Sequence, residues 1–558
     1  MNGKQKKNSS FLMQGMILAV AGIITRLIGI AYRIPVNNIL GDEGQGLYGC
    51  AFSIYNIALL LSSYSLPLAV SKLVSARVAK KEYKNAQRIF KSALLFAVIV
   101  GVVVGGVIFL LSDFISTTIM SMPLSAYALR VLAPCLFIVA IMGVIRGYFQ
   151  GLGTMVPTAA SQIVEQIVNA IVSIVGASYL LEMCKKTAEA EKIPSLPSAY
   201  GAAGGTLGTL SGALFGLLFL LFVLKLYMPI MKKKEKRDVH SEVEEYRDIY
   251  KILLLTIAPV ILSTAIYNIN DTIDQGIFSN VMIAQGHDEI QVRELLGMFT
   301  GKYNTLIHIP LAIANALGSA LIPSLIATLK VGTKKDIHSK INMVIRFAML
   351  IAIPSCVAFV TMPQEILSLL YSTGNIEIPA QMLRIGGITV VFYCLSTVTN
   401  SILQGLNKMS APVKHGAIAL GLHLIAVVFL LVVCKAGIYS IIIGNIVFSL
   451  IVCILNERAM RQASGYHQEY KKTFLLPAGA AVLMGVVIIL FNNLFALIKV
   501  PGRIATILVI LLAVATYGIA LLKIGALSPK EIVMLPKGRT LLRLFQKLHL
   551  LNGVEKHE

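Results

Sequence analysis

About fourteen apolar segments, each long enough to cross a bilayer as a helix, occupy most of this 558-residue chain. Crossing a hydrocarbon core takes about 20 mainly apolar residues, and a helix satisfies its own backbone groups where no water can. The segments lie at roughly 11–32, 46–70, 89–112, 126–149, 155–181, 200–228, 252–280, 303–329, 339–363, 379–405, 411–434, 437–457, 473–497 and 503–523. The expected fold class is therefore all-α, a polytopic membrane protein of about 14 transmembrane helices. Charged residues make up 14% of the chain, against about 25% in soluble domains, and the mean hydropathy is +0.78. The first segment follows Lys4, Lys6 and Lys7 and contains Arg26, so it reads as a retained helix and not as a cleaved leader.

The segments repeat. Leu129-Arg130 … Gln150-Gly151-Leu152 … Met155 returns as Leu383-Arg384 … Gln404-Gly405-Leu406 … Met409, displaced by 254 with no gap. Pro67 with Lys80-Lys81 is echoed by Pro323 with Lys334-Lys335. The expected organisation is two six-helix lobes in tandem repeat, residues 1–231 and 252–460, joined by a cytoplasmic linker at 232–251 with a short surface helix. Two further transmembrane helices at 461–525 and a basic, partly amphipathic cytoplasmic tail at 526–558 follow. Parallel tandem halves in a membrane protein point to secondary transport, with a site between the halves.

The net charge of +22 sits in short loops between the apolar segments, near 72–91, 229–251, 330–346 and 458–472. This is the footprint of loops facing anionic membrane lipids, not of a nucleic-acid surface. All these loops fall on one side, which sets both termini in the cytoplasm. The seven cysteines have no paired spacing and read as small core residues. Glycines 204, 208, 212 and 216 recur every four residues, a stripe along which another helix backbone can approach.

An ionised side chain within the membrane costs about 2.5–3.5 kcal/mol on insertion scales, so each one present needs a reason. Arg26 and Arg33 are seven residues apart, two helical turns, and share one side of the first segment. Forked hydrogen bonds from two such arginines suit an extended anion such as a diphosphate; alternatively, Arg33 snorkels to the interface. Arg130 and Arg384 occupy equivalent repeat positions and read as interfacial anchors, and Arg146, beside a turn, as a topology charge. Glu165, with Ser161 and Asn169 at four-residue spacing, either pairs with a buried arginine or lines the cavity. Asn270, Asp271 and Asp274 form the densest polar cluster, able to hold a small cation or carry a proton, or else to cap a break in the helix. His423 and Asn445 are candidates to complete that site. Lys302 and Asn304, at the head of the eighth segment, are further candidates for holding an anion. No P-loop, zinc-binding or nucleophile motif is present, no cofactor or certain metal site is expected, and the chain does not read as an enzyme.

Thr25-Arg26-Leu-Ile-Gly29, Leu40-Gly41-Asp42-Glu43-Gly44-Gln-Gly-Leu-Tyr48, Ser65-Leu-Pro67-Leu-Ala-Val-Ser-Lys72 and Ile309-Pro310 … Ala320-Leu-Ile-Pro323-Ser324-Leu325 resemble the polysaccharide-transporter branch of the MOP superfamily. That branch includes the stage V sporulation protein B-like proteins and the MurJ-like lipid II flippases. The resemblance covers about residues 10–525. It implies two six-helix lobes and alternating access, a cationic cavity for the diphosphate of an undecaprenyl-linked sugar, and a groove at the last two helices for the lipid tail. It also implies that Arg26 is the first-segment arginine that meets the cargo, and that Asp274 matches an acid contributing to a sodium site. The second segment has no arginine, and the family's eighth-segment arginine falls near Thr305. The implied cargo is thus the class, a lipid-linked sugar diphosphate, and not lipid II in particular. The expected function is a flippase for such a precursor in the bacterial cytoplasmic membrane, acting as a monomer and coupled to Na+ or H+ or to the membrane potential. The rivals are a multidrug/cation antiporter of the same superfamily and a non-transporting scaffold for wall synthesis.

Overall fold

A computed structural model of the chain describes residues 2–191, 193–238, 241–526, 542–543 and 546. The expected basic tail lies, but for Ala526 and those last three positions, outside the described residues. Among the described residues the regular structure is helical throughout, and eleven helices are long and apolar enough to cross a membrane.

The first helix, α1 (Asn2–Ser62), covers the first expected segment and most of the second. It breaks at Gly41, whose φ of 66° and ψ of −175° are non-helical. A positive φ of this kind costs glycine almost nothing and other residues much more. The segment expected at 46–70 is not continuous: α1 ends at Ser62, and α2 (Leu66–Ala79) starts afresh with Pro67 in its first turn. Proline fits there because the first amides of a helix have no intrahelical acceptor. Then come α3 (Tyr83–Leu110), the single turn α4 (Ser112–Phe114), α5 (Ser125–Gly151), α6 (Val156–Glu191), α7 (Leu196–Lys236) and α8 (Tyr246–Ala284). A short amphipathic helix, α9 (Glu289–Gly297), runs into a π-helical turn at Met298–Tyr303.

The chain forms two compact units, Met1–Gly301 and Lys302–Glu558. The division falls after α9 and not in the linker, because α8 packs on α1, α2 and α3 and α9 packs on α1. Among the described residues the linker holds no separate surface helix. Residues 237–238 and 241–245 are tied to the α2–α3 turn: Lys84 N–H donates to Asp238 at 2.9 Å, Asn85 Nδ2 to the Glu242 carbonyl at 2.8 Å, and Arg77 to Glu244 at 2.8 Å.

In the first unit α5 is central, against α2, α3 and α7, and α6 lies along α7. The glycine stripe makes that last contact close: a Cβ at Gly204 would stand 2.1 Å from the Gly176 carbonyl oxygen, and one at Gly212 2.5 Å from that of Glu165. The second unit repeats the plan with α10 (Asn304–Val331), α11 (Lys334–Thr361), α12 (Pro363–Leu370), α13 (Glu377–Gly405), α14 (Ser410–Val432) and α15 (Tyr439–Ser464). Here α13, the repeat counterpart of α5, packs on α10, α11 and α15. The added helices α16 (Leu476–Leu497) and α17 (Gly502–Lys523) pair with each other and lie on α11 and α12.

Candidate functional site

On α1 the apolar-to-polar pattern decides which side is packed. Tyr32, Val36 and Leu40, four residues apart, are buried. Arg26 and Arg33 project from another side, and both are exposed. Seven residues of helix separate them by about 10 Å along the axis. The packed side is held by the amide of Asn169 on α6, which donates to the Tyr32 hydroxyl at 3.4 Å. Near the arginines, a Cβ at Gly29 would lie 3.4 Å from Gln166 Nε2, so α6 passes close to this stretch of α1.

The polar ladder on α6 joins helices. Ser161 is fully buried and accepts from Arg146 Nε at 2.9 Å, while Glu165 accepts from the same guanidinium at 2.7 Å. Ser173 donates to Asn169 at 2.9 Å. The pair Arg146–Glu165 therefore neutralises two charges between α5 and α6, and Arg146, read from sequence as a topology charge, acts as an interhelical ion-pair partner. Sequence spacing does not reveal this pairing directly, although both residues stand within three turns of one helix–helix connection.

On α8 the cluster divides by face. Asn270 and Asp274, one turn apart, are 4% and 0% exposed, whereas Asp271 is exposed. Hydrogen bonds fix the helix against the rest of the first unit: Thr272 donates to the Ser53 carbonyl at 3.0 Å, and Asn280 Nδ2 to the Ile119 carbonyl at 2.8 Å. The buried carboxylate is thus in a packed helix face, not at a cap. His423 and Asn445 are buried in the second unit, where the His423 ring lies against Gly444 between α14 and α15.

Lys302 is the first residue of the second unit. It is fully buried in the second unit and donates to the carbonyls of Thr373 at 3.2 Å and Asn375 at 2.8 Å, with the Tyr371 ring 5.9 Å away. An ammonium donating to two carbonyls is a structural tie. Asn304 opens α10, and its carbonyl lies 2.6 Å from His308 Nδ1.

Sequence reasoning missed the role of Glu43 in the 40–48 motif. Arg293 of α9 donates to it at 3.1 Å and to Glu289 at 2.6 Å, and Ser198 donates to it at 2.8 Å. Small residues make the seam close: a Cβ at Gly297 would stand 1.7 Å from the Asp42 carbonyl oxygen, and one at Gly46 2.0 Å from that of Arg293. Beside it, Glu294 is held above its ordinary value by burial first and then by the carboxylates of Asp42, Glu43 and Asp288. The glycine-rich motif was the available signal. Its partner was hidden, because α9 is too short and too polar to stand out among spanning segments.

Among the described residues no group of three or more His, Cys, Asp or Glu is placed to hold a metal ion. What the first unit offers chemically is a pair of exposed guanidiniums on α1 and a buried carboxylate–amide pair on α8.

Residues 11–329 match the family described as polysaccharide biosynthesis protein. The chain is 25% identical over 544 residues to the lipid II flippase MurJ of Bacillus subtilis (strain 168), covering 93% of this chain and 95% of that one. It is 22% identical over 415 residues to stage V sporulation protein B of the same organism, covering 73% and 75%. Among solved structures, a lipid II flippase MurJ in an inward closed conformation superposes with a TM-score of 0.67 at 13% identity, covering 90% of this chain and 98% of that one. An inward-facing multidrug resistance MATE transporter of the MOP superfamily superposes with a TM-score of 0.62 at 17% identity, covering 80% and 99%. The chain is a multi-pass membrane protein that belongs to the polysaccharide biosynthesis protein family.

Proposed function

We propose that this protein is a flippase that moves a lipid-linked sugar diphosphate, with undecaprenyl as the lipid, across the bacterial cytoplasmic membrane by alternating access. The observation that carries the reading is the pair Arg26 and Arg33, both exposed on one side of an otherwise apolar membrane helix. Two guanidiniums about 10 Å apart along the axis can share the several oxygens of a diphosphate through charge-assisted hydrogen bonds. The relatives named lipid II flippase support the cargo class. Lys302 and Glu165 are left out of the cargo set, because the first is tied to two carbonyls and the second to Arg146. Asn304 stays a secondary candidate.

Asn270 and Asp274 serve as the coupling pair for Na+ or H+, with Asp271 at their exposed edge. A membrane potential supplies about 2.3 kcal/mol per charge per 100 mV, enough to bias a conformational cycle without ATP. The basic loops face anionic lipid on the cytoplasmic side, both termini lie there, and the molecule works as a monomer. The multidrug antiporter reading has a shared fold in its favour, but two exposed arginines repel a cationic drug.

The test is translocation of a lipid-linked diphosphate sugar by proteoliposomes. Arg26→Ala is expected to abolish flipping at normal expression and folding; normal flipping by that variant sinks the assignment. Asp274→Asn is expected to remove the dependence on sodium, pH or potential.

A further inference from the structure

In the second unit one face of α11 is covered by the chain itself. A Cβ at Gly485 of α16 would lie 2.9 Å from Val357, and Met484, Ile488 and Met362 share an apolar cluster there. The repeat shift of 254 maps Val357 to Val103 and Thr361 to Val107 on α3. There, among the described residues, no helix covers the face, and Val103 and Val107 are 57% and 48% exposed.

On another side, α3 and the adjoining α5 flank an open apolar cleft of about 500 Å³, walled by Gly101, Gly105, Gly106, Phe109, Pro134 and Phe137 among others. Glycines shape it. A Cβ at Gly101 would lie 2.8 Å from Phe137 Cα and one at Gly105 2.9 Å from the Ala133 carbonyl oxygen, so the helices touch there. Next to Gly106 nothing stands within 4 Å, and the slot opens. Its size is within the roughly 300–1,000 Å³ of clefts that hold small molecules. Gly101 to Leu110 rises about 14 Å, close to half of a hydrocarbon core about 30 Å thick. The cleft is one leaflet deep.

Its mouth is polar. Arg130 shares a face of α5 with Ala133, Pro134 and Phe137, by the three-, four- and seven-residue spacing of a helix. The guanidinium donates Nε–H to Ser112 at 3.0 Å and pairs with Asp113, and the two charged side chains are 40% and 66% exposed. Pro134 has no N–H, so the Arg130 carbonyl lacks the donor a helix would provide four residues on. A guanidinium and a carboxylate thus stand together with no net charge, one turn of α5 from the cleft wall, and α5 carries there a carbonyl without its helical donor. A purely anionic headgroup would meet Arg130 but be repelled by Asp113. A phosphate followed two carbons later by a primary ammonium answers all three groups.

We propose that this cleft binds one phospholipid of the phosphatidylethanolamine class, with an acyl chain in the slot, its phosphate at Arg130, and its ammonium at Asp113 and the Arg130 carbonyl. The proposal does not rest on the flippase reading.

The test is native mass spectrometry of the full chain released from mixed micelles containing dioleoyl phosphatidylethanolamine and dioleoyl phosphatidylglycerol in equal amounts. The wild type is expected to retain one phosphatidylethanolamine in preference. Gly106→Leu, which fills open space, is expected to lose it about tenfold, and Arg130→Gln by a similar factor for a lost charge-assisted contact. Asp113→Asn, at an exposed position, should fold normally and shift the preference toward phosphatidylglycerol. Equal retention of phosphatidylethanolamine by wild type and Gly106→Leu overturns the site. A wild-type preference for phosphatidylglycerol overturns the headgroup.

Discussion

Replacing Glu165 by leucine strands a guanidinium inside the helix bundle. Arg146 is 13% exposed and has two acceptors, Glu165 at 2.7 Å and Ser161 at 2.9 Å. Removing one partner of a buried pair costs about 3–5 kcal/mol, because the remaining charge is left uncompensated. Glu165 is 28% exposed, and Ser161 remains, so the lower end applies: about 3 kcal/mol for Glu165→Leu, and about 2 kcal/mol for Arg146→Met, whose stranded carboxylate is the wetter of the two. Removing both charges leaves neither stranded. The double variant should then cost about 2 kcal/mol instead of the sum of about 5, a coupling at the upper end for residues in contact. Tryptophan is absent, so intrinsic fluorescence is a poor probe. Five of the seven cysteines are buried, which lets a thiol-reactive dye report unfolding during an SDS titration, with the exposed Cys434 changed to serine. If both single variants stay within about 0.5 kcal/mol of wild type and the double is additive, the ion pair does not join α5 to α6 as described. If folded Glu165→Leu loses translocation while folded Arg146→Met keeps it, the carboxylate meets the cargo after all.

Lys302→Met should destabilise the second unit by about 3 kcal/mol, since the Thr373 and Asn375 carbonyls lose a charged donor. Transport per folded molecule should be unchanged; a specific transport defect at normal stability would return Lys302 to the cargo set. Gly297→Ala forces a methyl against the Asp42 carbonyl, and overpacking of this kind costs about 1–3 kcal/mol. Amide exchange across 289–301 should accelerate, and unchanged exchange would contradict the close seam. Glu294 titrates above its ordinary value of 4.5, so the seam favours its protonated form. That contribution is complete below the ordinary value and fades as pH rises through the raised one. As pH rises through that window and above it, Glu294→Gln should hold α9 increasingly better than wild type, measured as exchange protection; identical pH profiles for the two proteins refute the assignment.

The spanning segments were legible because membrane length and apolarity leave helices little alternative. The interruptions were harder to see. Gly41 lies in a polar motif whose backbone geometry no hydropathy window registers. Ser63 to Ser65 break an apolar run whose mean stays high, and only Pro67 marks the restart of the helix. Charges were legible as expensive residues but not as pairs. The sequence shows that Glu165 needs a reason; the packing of α5 on α6 supplies Arg146. For Lys302 the missing information was again tertiary, since the acceptors are backbone carbonyls about 70 residues away, which any sequence could provide.

The charge asymmetry between the two halves takes a different form in three dimensions. Arginines open the first half and acids the second, which in sequence looks like opposite charge on opposite lobes. In the structure α8 packs within the first compact unit, so the exposed arginines of α1 and the buried Asp274 belong to one body. Their environments suit different tasks. An exposed guanidinium can exchange water for a ligand at little cost. The Asp274 carboxylate, with no exposed surface, can exchange a bound ion only as its helix moves. Its occupancy is then tied to the packing of α8, through contacts such as Thr272 on Ser53. A motion that frees α8 from α1 would hydrate Asp274 and change what it binds, while the arginines stay on α1. On the function proposed above, cargo affinity and cation affinity would then be linked by the movement of one helix, without direct contact between their residues.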